Sequence, residues 1–120
     1  MRKREIISMP PREGAFAEFV AIPKRNLVPV PDGMSLSTAS LAEPIATGWH
    51  AVTKGAQLSK RPLVECKTLV YGGGAVGLAA ALSLHAQGCK QIYLAETNAL
   101  RRETVEAPMS VVCSTQPLTT

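Results

Sequence analysis

The stretch KTLVYGGGAVGLAAALSLHAQGCKQIYLAE, residues 67–96, decides how the chain is read. Thr68-Leu69-Val70-Tyr71 is a β-favouring run broken by Gly72-Gly73-Gly74, and Gly77 follows three residues later. From Val76 to Gln87 the residues are apolar on nearly every face and include no proline. That run predicts a buried helix, and Gly88 is the residue best suited to a left-handed helix end. Gln91-Ile92-Tyr93-Leu94-Ala95 then reads as a second strand, with Glu96 at its carboxyl end. Strand, glycine turn, helix and strand make a βαβ unit, so the expected class is α/β with a parallel sheet.

The glycines fall in the pattern G-x-G-x-x-G at the opening of a helix. Gly72 permits a sharp turn out of the strand, Gly74 lets the backbone approach a pyrophosphate, and Gly77 lets the helix lie close to the sheet. The N–H groups of the first helical turn, around Gly74, Ala75 and Val76, then face the phosphates with the helix dipole behind them. Glu96 comes about 24 residues after Gly72, near the spacing of roughly 20 beyond the motif expected for an acid that accepts hydrogen bonds from a ribose 2′-hydroxyl. The bland alternative is a glycine turn kept only for tight packing. The strand before, the helix after and the acid beyond favour a dinucleotide.

Composition narrows the field. An apolar share of 46% over 120 residues fits one modest soluble domain. The net charge of +4 owes part of its size to Arg2-Lys3-Arg4, and no basic stripe carries interleaved aromatic residues, so nucleic acid is not an expected partner. Ile6-Ile7 gives way at once to Ser8, Pro10 and Pro11, which leaves no apolar core for a signal peptide. The nearly apolar run from Gly72 to Leu84 is shorter than the about 20 residues a bilayer requires. A cytoplasmic setting without membrane contact is expected. Cys66, Cys89 and Cys113 are odd in number and widely spaced, so free thiols are expected rather than a disulfide framework or a C-x-x-C metal pair.

Upstream of the glycine turn, Gly14-Ala15-Phe16-Ala17-Glu18-Phe19-Val20-Ala21-Ile22-Pro23 has strand character, with Phe16 and Val20 on one face and Phe19 on the other. No partner strand is evident for it. Residues 26–33, NLVPVPDG, form a proline-punctuated extended piece closing in an Asp-Gly turn. Ser35 or Ser37 can cap a short helix running toward Ala42, and Pro44 suits the first turn of a second helix through Trp49 to about Val52. The polar residues 57–66 lead into the glycine strand, and a third strand is expected around Ser110 to Cys113.

GAFAEFVAIP, NLVPVPDGMS, SLAEPIATGWHAV and LVYGGGAVGL, in that order, resemble the middle of a zinc-dependent medium-chain alcohol/polyol dehydrogenase. The likeness is greatest to the sorbitol and threonine dehydrogenase branch, where a Glu-Pro pair replaces a cysteine ligand. It runs from about Gly14 to about Glu106. The fold it implies is a partial doubly wound (Rossmann) parallel sheet preceded by the C-terminal piece of a GroES-like β catalytic domain. Residues 1–42 would belong to the catalytic domain and residues 43–120 to the first half of the NAD-binding domain.

Carried onto this sequence, the resemblance implies Glu43 as a carboxylate at or near the catalytic zinc and Thr47 as a contact to the nicotinamide. On residue chemistry alone, Glu43 before Pro44 is equally an acidic helix start. Gly72, Gly74, Ala75, Val76, Gly77 and Glu96 match the cofactor fingerprint. Arg101 matches a basic position near the adenosine ribose, and could also be a surface charge beside Arg102. His50 and His85 read as ordinary helix residues. The implied cofactor is NAD rather than NADP, since Glu96 would repel a 2′-phosphate, with zinc in the intact parent. The substrate would be a secondary alcohol or polyol, and the parent an oligomer of identical chains. The remaining zinc ligands and the second half of the sheet are missing from this sequence, so the chain reads as a fragment that does not turn over alone. Two alternatives stand beside this reading: a segment binding the ADP part of FAD, and a non-catalytic nucleotide-binding remnant.

Overall fold

The computed structural model describes residues 6–106 and 112–114. The chain divides after Gly33 into two compact units, Met1–Gly33 and Met34–Thr120. The basic start at Arg2 to Arg4 and the side chain of Cys113 lie outside the described residues.

The first unit carries a single turn of 3₁₀ helix, Lys24–Asn26, and no strand among its described residues. The strand expected over residues 14–23 is not formed. Phe16 is fully exposed and Phe19 is 91% exposed, so the two faces of the alternation are not distinguished by burial. The physical reason is pairing: an extended segment without a neighbour has no ladder in which to place its N–H and C=O groups, and β propensity alone does not hold it. The Asp-Gly turn does form, with Gly33 at φ +82°.

The second unit begins with α1 (Leu36–Ala39), whose N-cap Ser35 accepts a hydrogen bond from the Thr38 N–H at 3.1 Å. Helix α2 (Ala42–Leu58) has Pro44 in its first turn, as expected, but runs well past Val52. Lys54, Gly55 and Gln57 carry no stop signal strong enough to end it, and the helix continues until Ser59 turns extended. A 3₁₀ turn, Leu63–Glu65, then leads into β1 (Lys67–Tyr71).

Beyond β1 the order is α3 (Ala75–Ala86), β2 (Gln91–Ala95), α4 (Ala99–Glu106) and β3 (Val112–Ser114). All pairings are parallel and the sheet order is β1-β2-β3. Register sets Lys67 opposite Gln91 and Val70 opposite Leu94. Gly88, at φ +91°, ends α3 in a left-handed turn. Its N–H bonds the His85 carbonyl and the Cys89 N–H bonds the Leu84 carbonyl, both at 3.0 Å, which satisfies two of the orphan carbonyls of the helix end.

The core is one-sided. Val52, Ala81, Leu84, Cys89, Ile92, Leu94 and Val105 are buried together, with Leu63, Val70 and Leu78 packed against them. Thus α2, α3 and α4 all contribute to the face of the sheet that Val70, Ile92 and Leu94 present. Lys67, Leu69, Tyr71, Gln91 and Tyr93 point the other way and are exposed. Successive strand residues alternate between faces, and only one face is covered by helices among the described residues. Helix α2 lies directly on α3: a Cβ added at Gly48 would stand 2.6 Å from the Ala79 carbonyl carbon and the Ala80 nitrogen.

Candidate dinucleotide site

The site is built where β1 gives way to α3. The Gly72 N–H still bonds the Ala95 carbonyl at 2.8 Å, one step beyond the ladder, and the chain then turns at Gly72 with φ +90°. A side chain is disfavoured at that φ, although an added Cβ would meet nothing within 4 Å. A Cβ at Gly77 would collide with the Gly72 carbonyl oxygen, so helix and turn touch backbone to backbone. In front of Gly74 there is open space for 4 Å around a built Cβ. Helix α3 has Gly74 as its N-cap and no side chain capping it. The first-turn N–H groups, at Ala75, Val76 and Gly77, are therefore free of side-chain acceptors and stand at the positive end of the helix dipole.

Glu96 closes the other side. Its side chain is 7% exposed, and Oε2 accepts the Gly73 N–H at 2.7 Å while Oε1 accepts the Asn98 N–H at 2.8 Å. The Asn98 and Gly73 amides hold its carboxyl below the usual glutamate range, helped by Arg101 and Thr97, and outweigh the opposing effect of burial. An ionised carboxylate has about four lone-pair sites. Oε1 takes the Thr97 hydroxyl as well, at 3.5 Å, whereas Oε2 has only the Gly73 N–H as a hydrogen-bond donor and keeps acceptor capacity for a ribose hydroxyl. The Arg101 Nη1 lies 3.8 Å from Oε2 on a side chain that is 61% exposed. Arg102 is placed differently: its Nη1 donates to the carbonyls of Glu96 and Thr97, both at 2.8 Å. These features fit the adenosine and pyrophosphate end of a dinucleotide.

Glu43 and Thr47 lie one turn apart on α2, both exposed, and the Thr47 hydroxyl donates to the Glu43 carbonyl at 3.2 Å. Among the described residues no three His, Cys, Asp or Glu side chains gather as metal ligands. Glu43 offers one carboxylate, whereas a zinc centre takes three or four ligands, so these residues do not make a zinc site by themselves. His50 is exposed beside Trp49 rather than packed.

Sequence reasoning gave no role to Gly73 or Asn98, and weighed Arg102 only as a neighbour of Arg101 that could meet a phosphate. Gly73 did carry a signal, as a third glycine where the motif accepts any residue: a Cβ there would lie 3.2 Å from Glu96 Cγ and Oε2. Asn98 also had one, as a cap-type residue whose Oδ1 accepts the Arg101 N–H at 3.2 Å.

Strand order, glycine turn and acid together match the opening half of a doubly wound parallel sheet. The chain is 35% identical over 99 residues to a probable diacetyl reductase ((R)-acetoin forming) of Saccharomyces cerevisiae, covering 79% of this chain and 22% of that protein. It is 36% identical over 94 residues to the L-galactonate-5-dehydrogenase of Escherichia coli (78% and 26%), and 31% identical over 90 residues to an L-threonine 3-dehydrogenase of Mesorhizobium japonicum (75% and 24%). A crystal structure of galactitol-1-phosphate dehydrogenase from Escherichia coli superposes with a TM-score of 0.67 at 21% identity, over 87% of this chain and 29% of that one. No family model matches. The relatives of this chain are zinc-type medium-chain alcohol and polyol dehydrogenases, and the chain spans about a quarter of the length of those it matches. No helix among its described residues is long and apolar enough to cross a membrane.

Proposed function

We propose that the chain carries the adenosine and pyrophosphate half of the NAD site of a secondary alcohol or polyol dehydrogenase. The observation that supports this most is the 2.7 Å bond from the Gly73 N–H to Glu96 Oε2, which sets an ionised acceptor beside an uncapped helix N-terminus. The bound nicotinamide would supply the hydride acceptor in the oxidation of an alcohol. The chain's own residues bind and orient. Ala75 and Val76 offer N–H groups to phosphate, Gly74 allows the approach, and Glu96 accepts from the ribose hydroxyls. A 2′-phosphate would bring negative charge against Glu96, so NAD is preferred to NADP.

Thr47 is proposed as a contact to the nicotinamide and Glu43 as the carboxylate this chain brings to the zinc of the intact protein. The substrate class is a small secondary alcohol or polyol. A cytoplasmic setting, an oligomeric parent and a catalytic-domain origin for residues 1–42 belong to the same proposal. The relatives are alcohol and polyol dehydrogenases by name, which favours nicotinamide over flavin.

The test is a titration of the isotope-labelled chain with NAD, followed by amide NMR. Shifts concentrated at residues 72–77 and 96–98 are expected. Saturating NAD with those amides unmoved would reject the reading.

A further inference from the structure

Arg101 and Arg102 are neighbours on α4, and by sequence either could meet a cofactor phosphate. Their geometry separates them. Arg101 reaches Glu96 Oε2 only at 3.8 Å from an exposed side chain, a contact that solvent and salt weaken. Arg102 is engaged with backbone: Nη1 bridges the carbonyls of Glu96 and Thr97 at 2.8 Å each, immediately beyond the last residue of β2. Hydrogen bonds from a charged donor are among the stronger ones, and two carbonyls held by one nitrogen fix the turn between β2 and α4. That turn carries both the Glu96 carboxylate and the Asn98 N–H that binds it. Glu96 is therefore held at both ends, its carbonyl by Arg102 and its carboxylate by Gly73 and Asn98.

We propose that Arg102 is a positioning residue for the ribose-binding carboxylate Glu96, acting on NAD and NADP alike, and that Arg101 alone of the pair tunes the choice between them. Turning Arg102 toward a phosphate would break both carbonyl bonds and release the turn. This inference rests on the dinucleotide reading above, and deepens it by assigning affinity and selectivity to different arginines.

The experiment compares the whole chain with Arg102→Ala, Arg102→Lys and Arg101→Ala by calorimetric titration with NAD and with NADP. Arg102→Ala should weaken both by a similar factor, roughly tenfold, because two charge-assisted bonds behind Glu96 are lost. Arg102→Lys should recover part of both affinities, since an ammonium can still donate to carbonyls. Arg101→Ala should change the NAD to NADP ratio. A loss in Arg102→Ala confined to NADP makes Arg102 a phosphate ligand and overturns the proposal, as does no loss with either cofactor. Amide hydrogen exchange at Gly73 and Asn98, measured without nucleotide, is the second readout: it should quicken in Arg102→Ala and be only partly restored in Arg102→Lys. Unchanged exchange overturns the proposal. Where Arg102→Ala does not fold, Arg102→Lys decides on both readouts, with intermediate affinity and exchange expected and wild-type values for both overturning it. If the wild-type chain binds neither cofactor, the dinucleotide reading fails, while the exchange measurement still decides the role of Arg102.

Discussion

The Gly73 N–H and Glu96 Oε2 meet at 2.7 Å across 23 residues of chain, joining the turn after β1 to the end of β2. This bond ties the glycine turn to the acid, so the two parts of the proposed site are set by one contact. Glu96→Gln removes the charge and leaves one acceptor oxygen for two amides. NAD affinity is expected to fall roughly tenfold, with NADP losing less because the repulsion of a 2′-phosphate goes too. Calorimetric titration of both cofactors checks this, and an equal loss of each would contradict it.

The same amides predict a pH dependence. Since they hold the folded-state carboxyl of Glu96 below its ordinary value, the stabilisation is fully present above the unfolded pKa, about 4.3 for a glutamate. It is lost as pH falls through the folded value. The stability advantage of the wild type over Glu96→Gln should therefore be constant down to about pH 5 and shrink below it. Urea unfolding at several pH values measures the gap; one that widens toward acid has the sign wrong.

Two glycines on α2 should respond oppositely to the same change. At Gly48 a Cβ would stand 2.6 Å from backbone atoms of Ala79 and Ala80, which cannot move aside without parting the helices. Gly48→Ala should destabilise by about 1–3 kcal/mol, more than the helix propensity it gains. At Gly55 nothing lies within 4 Å. Gly55→Ala should stabilise by about 0.5–1 kcal/mol. Chemical denaturation of both variants provides the comparison.

Leu94 is fully buried on β2, the middle strand of the sheet, opposite Val70. Leu94→Ala should cost about 2–5 kcal/mol through lost burial and the cavity left behind. A small domain holds roughly 5–15 kcal/mol in all, so this variant should be partly unfolded at 37 °C by circular dichroism.

Supplied with zinc, NAD and a panel of secondary alcohols and polyols, the 120-residue chain should show no steady formation of NADH. Among the described residues no three His, Cys, Asp or Glu side chains gather as ligands, and the single carboxylate of Glu43 binds zinc weakly. Steady turnover abolished by a chelator would show that ligands lie where none is recognised.

The βαβ unit was legible almost to the residue because its signals are local: a β-favouring run cut by glycines, an apolar helix closed by Gly88, an acid at the end of the next strand. The strand expected at residues 14–23 failed because strand formation depends on a partner that the segment's own residues do not encode. Helix α2 ran longer than expected since Lys54, Gly55 and Gln57 tolerate helix without announcing it. The two ends of Glu96 were beyond reading, because the reach of Arg102 to two carbonyls depends on rotamers and on the shape of a turn. Spacing reports neither.

Strand β1 has β2 on one side and, among the described residues, no neighbour on the other. In doubly wound sheets the cofactor lies in the crevice beside the first strand, where the order of strands reverses. Among the described residues that crevice has a single wall, an open shelf for the proposed adenosine and pyrophosphate. Past the second phosphate this chain offers the nicotinamide only the proposed contact at Thr47, so NAD should bind little more tightly than ADP-ribose, and Thr47→Ala should remove the difference.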